Sequence, residues 1–167
     1  MPRRGLRPEP SLPEEGEWNE EHMTRTIPPA LYDEVFALVT SIAQPDAEPL
    51  SAVDETKASD AYAKLEALFK RRESSGESDP FLTEALADFT DDAAESIRLY
   101  KLALEQCAAF PGEATLPKRI GLARALIQVG RKMEAREQIE IARREAFLAR
   151  DSASLAELSE LDEQCAA

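Results

Sequence analysis

Apolar residues recur along most of this chain at intervals of three and four residues, the spacing of an amphipathic helix. The clearest case is residues 116–149, where two short apolar stripes meet at Gly130. The pattern predicts two helices joined by a turn at this glycine. A single hairpin cannot bury both stripes, so a stacked neighbour must cover the remainder. The first stripe consists of Leu122, Ala123 and Leu126, and the second of Ala135, Ile139, Ala142 and Ala146.

Proline and capping residues mark the ends of the other predicted helices. Pro28 and Pro29 suit the first turn of a helix, and Pro45 ends it. The spacing of Ser51 and Asp54 is typical of a variant capping box that begins the second helix. We therefore expect hairpins over residues 28–76, 79–110 and 115–150, the second of them beginning at Asp79-Pro80, and a last helix over 152–165 that begins at a capping box of Ser154 and Glu157.

The second helices of the three hairpins repeat at a nearly constant period. A small residue is followed four positions later by a large one in each of them, which supports an internal repeat. The corresponding residues are Ala58, Ser96 and Ala135, and then Tyr62, Tyr100 and Ile139, at separations of 38 and 39 residues.

The hairpin over 115–150 contains the pattern Leu122-Ala123-x-x-Leu126, then Gly130-Arg131, then Ala135-x-x-x-Ile139-x-x-Ala142. This pattern resembles the tetratricopeptide (TPR) repeat. The resemblance implies an all-α fold, a right-handed superhelical stack of about three degenerate TPR-like hairpins with a C-terminal capping helix. The period exceeds the roughly 34 residues of the standard repeat, and Phe147 occupies the family's terminal proline position. The middle hairpin shares with the family Ser96, Ile97, Tyr100 and Ala103.

The TPR resemblance also implies a binding site. The first helix of each hairpin would line a concave groove that holds a segment of a partner protein. Arg124 is the expected anchor, because a basic residue in this groove binds a carboxylate in many TPR relatives, and arginine does so through two parallel hydrogen bonds. The alternative is that these basic residues are solvated helix charges. The residues implied at or beside the groove are Arg119, Ile120, Arg124, Ile127, Gln128 and Arg131.

The charge of the chain narrows the range of partners. Lys and Arg number 20 against 33 Asp and Glu, a formal net charge of −13, which argues against binding to nucleic acid or to an anionic membrane. Residues 118–150 are a basic exception, with nine Lys and Arg against four Glu. Residues 1–27 are rich in proline and glutamate, so we expect a disordered acidic tail before a domain over 28–167. The alternative is that Trp18 docks on the domain or on a partner.

The chain offers little for catalysis. His22 is the only histidine and lies in the predicted tail, Cys107 and Cys165 have no histidine beside them, and the six glycines are scattered. We therefore expect no enzymatic activity, no cofactor and no bound metal. Because no apolar run reaches the roughly 18 to 20 residues of a membrane span, we expect a cytoplasmic protein. Its cysteines would be buried free thiols, with a disulfide between them as the alternative.

Three functions fit these observations, and we rank them in the order given. The first is a non-enzymatic adaptor or chaperone that binds a protein or peptide in the groove of a TPR-like stack. The second is an acidic inhibitor or immunity-type protein that caps a basic toxin or a nucleic-acid-binding partner. The third is a self-associating unit, a homodimer formed through the last helix near Leu158 and Leu161.

Overall fold

The computed structural model describes residues 24–43 and 52–167, and side chains of the second segment from residue 56 onwards. Across these residues the only regular structure is helical, which confirms the all-α prediction for the described part of the chain. The predicted signals at Pro45 and Ser51 and the proposed docking of Trp18 fall outside the described residues. The helices are α1 (Pro29–Ile42), α2 (Ala52–Ser74), α3 (Pro80–Phe89), α4 (Ala93–Gln106), α5 (Leu116–Gln128), α6 (Lys132–Ala149) and α7 (Ser152–Ala166), with a 3₁₀ turn at Cys107–Ala109.

Aspartates cap three of the helix N-termini. The Asp79 carboxylate accepts the Leu82 backbone N–H at 2.9 Å, and proline follows it at the first helical position, as predicted. Asp92 caps α4 in the same way. The last helix begins at Ser152 as predicted, but the predicted capping box at Ser154 is wrong: the cap is Asp151, which accepts the Ser154 N–H at 3.0 Å. Ser154 lies in the first turn of α7, where its hydroxyl donates to the Asp151 carboxylate at 2.7 Å.

Each helix packs against the next along the chain, and α1 also contacts α3 as α5 contacts α7. Successive hairpins therefore lie side by side and share one hydrophobic core, which runs from Leu31 and Val35 in α1 to Leu158 and Leu161 in α7. The apolar stripes predicted for α5 and α6 are confirmed as buried. They include Leu122, Leu126 and Ile139, and all are at most 1% exposed, as are Ala123, Ala135, Ala142 and Ala146.

Small residues let the helices approach closely at the junction of α4 and α5. A Cβ placed on Gly121 would lie 2.3 Å from Cζ of Tyr100, so the tyrosine ring rests directly on the backbone of α5. The hydroxyl group at the far end of this ring donates to the Asp88 carboxylate in α3. One side chain thus joins three consecutive helices.

Residues 24–27 are packed on the domain, although they were expected in the disordered tail. The Arg25 backbone N–H donates to the Ala109 carbonyl at 2.8 Å, and its guanidinium lies 5.1 Å from the centre of the Phe110 ring. Ile27 is buried in the core. The ordered domain therefore begins before Pro28, because one apolar anchor and a backbone hydrogen bond offset the entropy cost of ordering these few residues.

We predict that Gly121→Ala destabilises the protein. Alanine gains up to about 1 kcal/mol of helix propensity over glycine, but its methyl group overlaps the Tyr100 ring, and overpacking of this kind costs about 1 to 3 kcal/mol. The free energy of unfolding, measured by urea denaturation, should fall by about 1 to 2 kcal/mol. Gly112→Ala is the matched control, because a Cβ there meets no atom within 4 Å and the backbone φ is not positive. Equal stability of the two variants would contradict the close approach of Tyr100.

Candidate binding face on α1, α3, α5 and α7

The candidate face has two parts, both on odd-numbered helices. Contacts join α1 to α3 and α5 to α7, and the Lys118 ammonium of α5 donates to the Glu84 carboxylate of α3. This ion pair links the two parts. One part of the face, between α1 and α3, is mainly apolar, and the other, between α5 and α7, is polar.

The apolar part of the face is built around aromatic rings. Tyr32 and Phe81 stack with their ring centres 4.5 Å apart, at an interplanar angle of 48°. One turn further along α1, Phe36 is 69% exposed. It lines a depression together with Val39 and Ala85. An aromatic side chain this exposed, next to other apolar groups, is a surface that a partner's side chain can cover.

Two carboxylates of α3 lie at the apolar depression. Glu84 and Asp88 of α3 line it directly. In the polar part, Arg124 forms an ion pair with Glu157 of α7, and Glu160 lies in the same depression. Burial raises the pKa of Asp88, and the hydrogen bond from Tyr100 and the charge of Arg124 oppose this shift only in part. The one exposed cation among these groups is thus already paired, and negative charge predominates around it.

A buried lysine, Lys118, connects the elements beneath this face. Lys118 is 1% exposed, and its Nζ donates to Glu84 Oε2 at 2.7 Å and to the Ala114 carbonyl at 3.0 Å. Glu113 lies 3.8 Å from the same nitrogen and accepts a hydrogen bond from the Tyr32 hydroxyl. That bond raises the pKa of Tyr32 to about 12, while burial raises the pKa of Glu84. The cluster ties α1, α3 and the loop before α5 together.

The structure separates the residues that the TPR resemblance placed together. Arg124, Ile127 and Gln128 line one depression with α7. Ile120 is only 6% exposed and so cannot touch a partner in this structure. Arg119 points toward α6, where it donates to Glu145 Oε1 at 2.8 Å and to Gln138 at 3.0 Å.

Arg131 also lies apart from the face. It forms a bidentate pair with Glu134, at 2.6 and 2.5 Å, in the first turn of α6. Leu158 and Leu161, expected at a dimer interface, are buried against the rest of the domain. These two side chains are therefore not exposed for contact with a second copy, and a homodimer formed near them on α7 stays a prediction.

Sequence reasoning missed the aromatic part of the face and the lysine beneath it. Phe36 carried a signal, since it is an apolar residue that falls off the buried stripe of α1. Lys118 carried one too, because it lies four residues before Leu122 and seven before Ala125 and so belongs to the buried side of α5. Its partners could not be found in this way, because Glu84 is 34 residues distant.

Other chemistry is sparse in the described part of the chain. No group of three or more His, Cys, Asp or Glu side chains there is arranged to hold a metal ion. Cys107 and Cys165 are both buried free thiols, and burial raises the pKa of Cys107. None of the helices described is both long and apolar enough to cross a bilayer. Comparison with protein-family models, curated proteins and solved structures gives no match.

We predict that Lys118→Met lowers stability strongly. It leaves Glu84 partly buried without its cation, and removal of one partner from a buried ion pair costs about 3 to 5 kcal/mol. The free energy of unfolding by urea denaturation is the measurement. Lys70→Met is the matched control, because Lys70 pairs with Glu66 on an exposed helix surface, where the loss should stay within about 0.5 kcal/mol. Adding Glu84→Gln to Lys118→Met should recover part of the loss; no recovery would contradict the pairing.

Proposed function

We propose that this protein is a non-enzymatic interaction module, an adaptor or chaperone that holds a segment of a partner protein across the face of α1, α3, α5 and α7. The helical hairpins would form a short, degenerate TPR-like superhelix with α7 as its cap. A cytoplasmic location is part of this proposal. The observation that carries it is the exposure of Phe36 beside Val39 and Ala85 in a depression edged by carboxylates.

The apolar depression supports binding of an apolar side chain of the partner, in addition to attraction between charged surfaces. Phe36 is 69% exposed, and burial of this exposed area by a partner would contribute about 25 cal/mol per Å². Tyr32 and Phe81 stack beside it and are held by the hydrogen bond of Tyr32 to Glu113. Because these rings are already ordered, a partner would lose little free energy in organising them.

The charges around the depression define the partner further. The four carboxylates Glu84, Asp88, Glu157 and Glu160 outnumber the two cations Lys118 and Arg124, which pair with Glu84 and Glu157. The expected segment therefore carries an aromatic or leucine side chain flanked by Lys or Arg. This changes the interpretation of Arg124, which fits an organising ion pair better than an anchor for an acidic peptide.

The inhibitor function remains a second candidate, and the net charge of −13 favours it. An acidic protein of this size associates rapidly with a basic partner through long-range attraction. The two functions differ in what they demand of Phe36. A groove that holds a peptide needs the aromatic ring, whereas capping by a broad acidic surface depends mainly on salt.

We predict that the protein binds a fluorescein-labelled peptide of about 12 residues that carries one phenylalanine flanked by lysines. Fluorescence anisotropy should show saturable binding, and Phe36→Ala should weaken it roughly tenfold, equivalent to about 1.4 kcal/mol. Phe147→Ala is the matched control, since Phe147 is a phenylalanine of similar exposure on α6, 72% against 69% for Phe36. A peptide with glutamates in place of the lysines should not bind. Binding that is unaffected by Phe36→Ala but abolished by salt would favour the inhibitor function.

Arg124→Ala should strengthen binding of the lysine-flanked peptide about two- to fivefold, because it leaves Glu157 free to pair with a lysine of the peptide. The same anisotropy titration measures this effect. If Arg124 instead anchors a carboxylate, the variant should bind the glutamate-flanked peptide less tightly than the wild-type protein does. Such a result would restore the earlier interpretation of Arg124.

A further inference from the structure

Helix α6 has two apolar stripes on opposite sides. The buried stripe, Ala135, Ile139, Ala142 and Ala146, faces the domain. Successive residues of a helix are about 100° apart, which places a second set directly opposite: Met133, Glu137, Ile141, Arg144 and Leu148, spaced by four, four, three and four residues. This second set is here called the outward stripe.

None of the described residues covers the outward stripe. Met133 is 70% exposed, Ile141 38% and Leu148 82%. The flanks of α6 are occupied, because Arg136 donates to the Cys165 carbonyl and Arg143 pairs with Asp162, both in α7. A helix with one stripe in the core would ordinarily have a polar opposite side.

The residue order of the outward stripe is complementary to the same stripe running in the opposite direction. When a second α6 is placed antiparallel, with position i opposite position 281 minus i, Met133 lies opposite Leu148 and Glu137 opposite Arg144, while Ile141 lies near the centre. A two-fold axis repeats every such contact, as a symmetric dimer requires. Glu137 has no ion-pair or hydrogen-bond partner among the described side chains, and Arg144 reaches only Glu140, at 3.1 Å.

We propose that the outward stripe of α6 binds a second copy of this chain, with the two α6 helices antiparallel. The occupant is a second copy because, in an antiparallel pair, Met133 of each copy faces Leu148 of the other and Glu137 faces Arg144. This spacing of four and three residues is also that of helices that pack side by side. The interface differs from the one expected through Leu158 and Leu161, and it lies on a different surface from the peptide-binding face.

The size of the surface makes the dimer weak. A helix of 18 residues is about 27 Å long, and one helix pair falls at the low end of specific interfaces, where the dimer exchanges with monomer. Sedimentation velocity of the full chain from about 5 to about 200 μM should therefore show a rise from monomer toward dimer.

Three variants test the interface. Ile141→Arg places two guanidinium groups near the axis and should leave only monomer over the whole range. Phe36→Arg is the matched control, an exposed apolar residue of α1 changed in the same way, and should dimerise like the wild-type chain. Arg144→Glu places like charges opposite each other and should weaken dimerisation roughly tenfold or more, whereas Arg144→Glu combined with Glu137→Arg should restore it.

The outcomes separate clearly. All of these residues are exposed, so circular dichroism and unfolding midpoints should match those of the wild-type protein. A wild-type chain that remains monomeric at the highest concentration would overturn the proposal. A dimer that survives Ile141→Arg would also overturn it, because the contact would then lie elsewhere. Failure of the double charge exchange to restore a dimer that the single change has weakened would exclude the antiparallel register.

Discussion

The contact between Tyr100 and the backbone at Gly121 sets the separation of α4 and α5, and the stacking of hairpins depends on that separation. A tyrosine ring this close to a helix backbone needs a residue without a Cβ beneath it, and only glycine meets that condition. The tyrosine hydroxyl extends the contact to Asp88, and burial strongly raises the pKa of Tyr100, so the phenol stays protonated and remains a donor.

Lys118 also joins neighbouring helices, in this case through an ion pair. It is among the largest fully buried side chains described, and it is satisfied by Glu84 and by the Ala114 carbonyl. A buried pair of this kind need not add much stability over an apolar pair of the same volume. The pair instead favours one arrangement of the helices, because the Lys118 ammonium reaches its partners only if α3, α5 and the loop at 113–115 are correctly placed. The ion pair therefore holds α3 and α5 in fixed relative positions beneath the candidate face.

Periodicity predicted the helices well, because each apolar stripe needs only local spacing. The burial of Ala135, Ile139 and Ala142 followed from it. The surroundings of the candidate site residues were harder to predict, because periodicity does not show which neighbouring helix covers a given side of a helix. Arg119 and Arg124 are five residues apart, about 140° around the helix, so a single groove could not hold both. Pairing across distant segments, as between Arg124 and Glu157, has no local signal.

The two proposed surfaces are compatible with each other. The outward stripe of α6 lies opposite the side by which α6 packs on α5 and α7. A dimer joined there would leave the faces of α1, α3, α5 and α7 open on both copies. Two sites held at a fixed separation bind a partner with repeated segments more tightly than one site does, provided that the spacing of the segments matches. Weak individual contacts at each groove are therefore consistent with useful affinity, because the second binding event occurs at a high effective concentration.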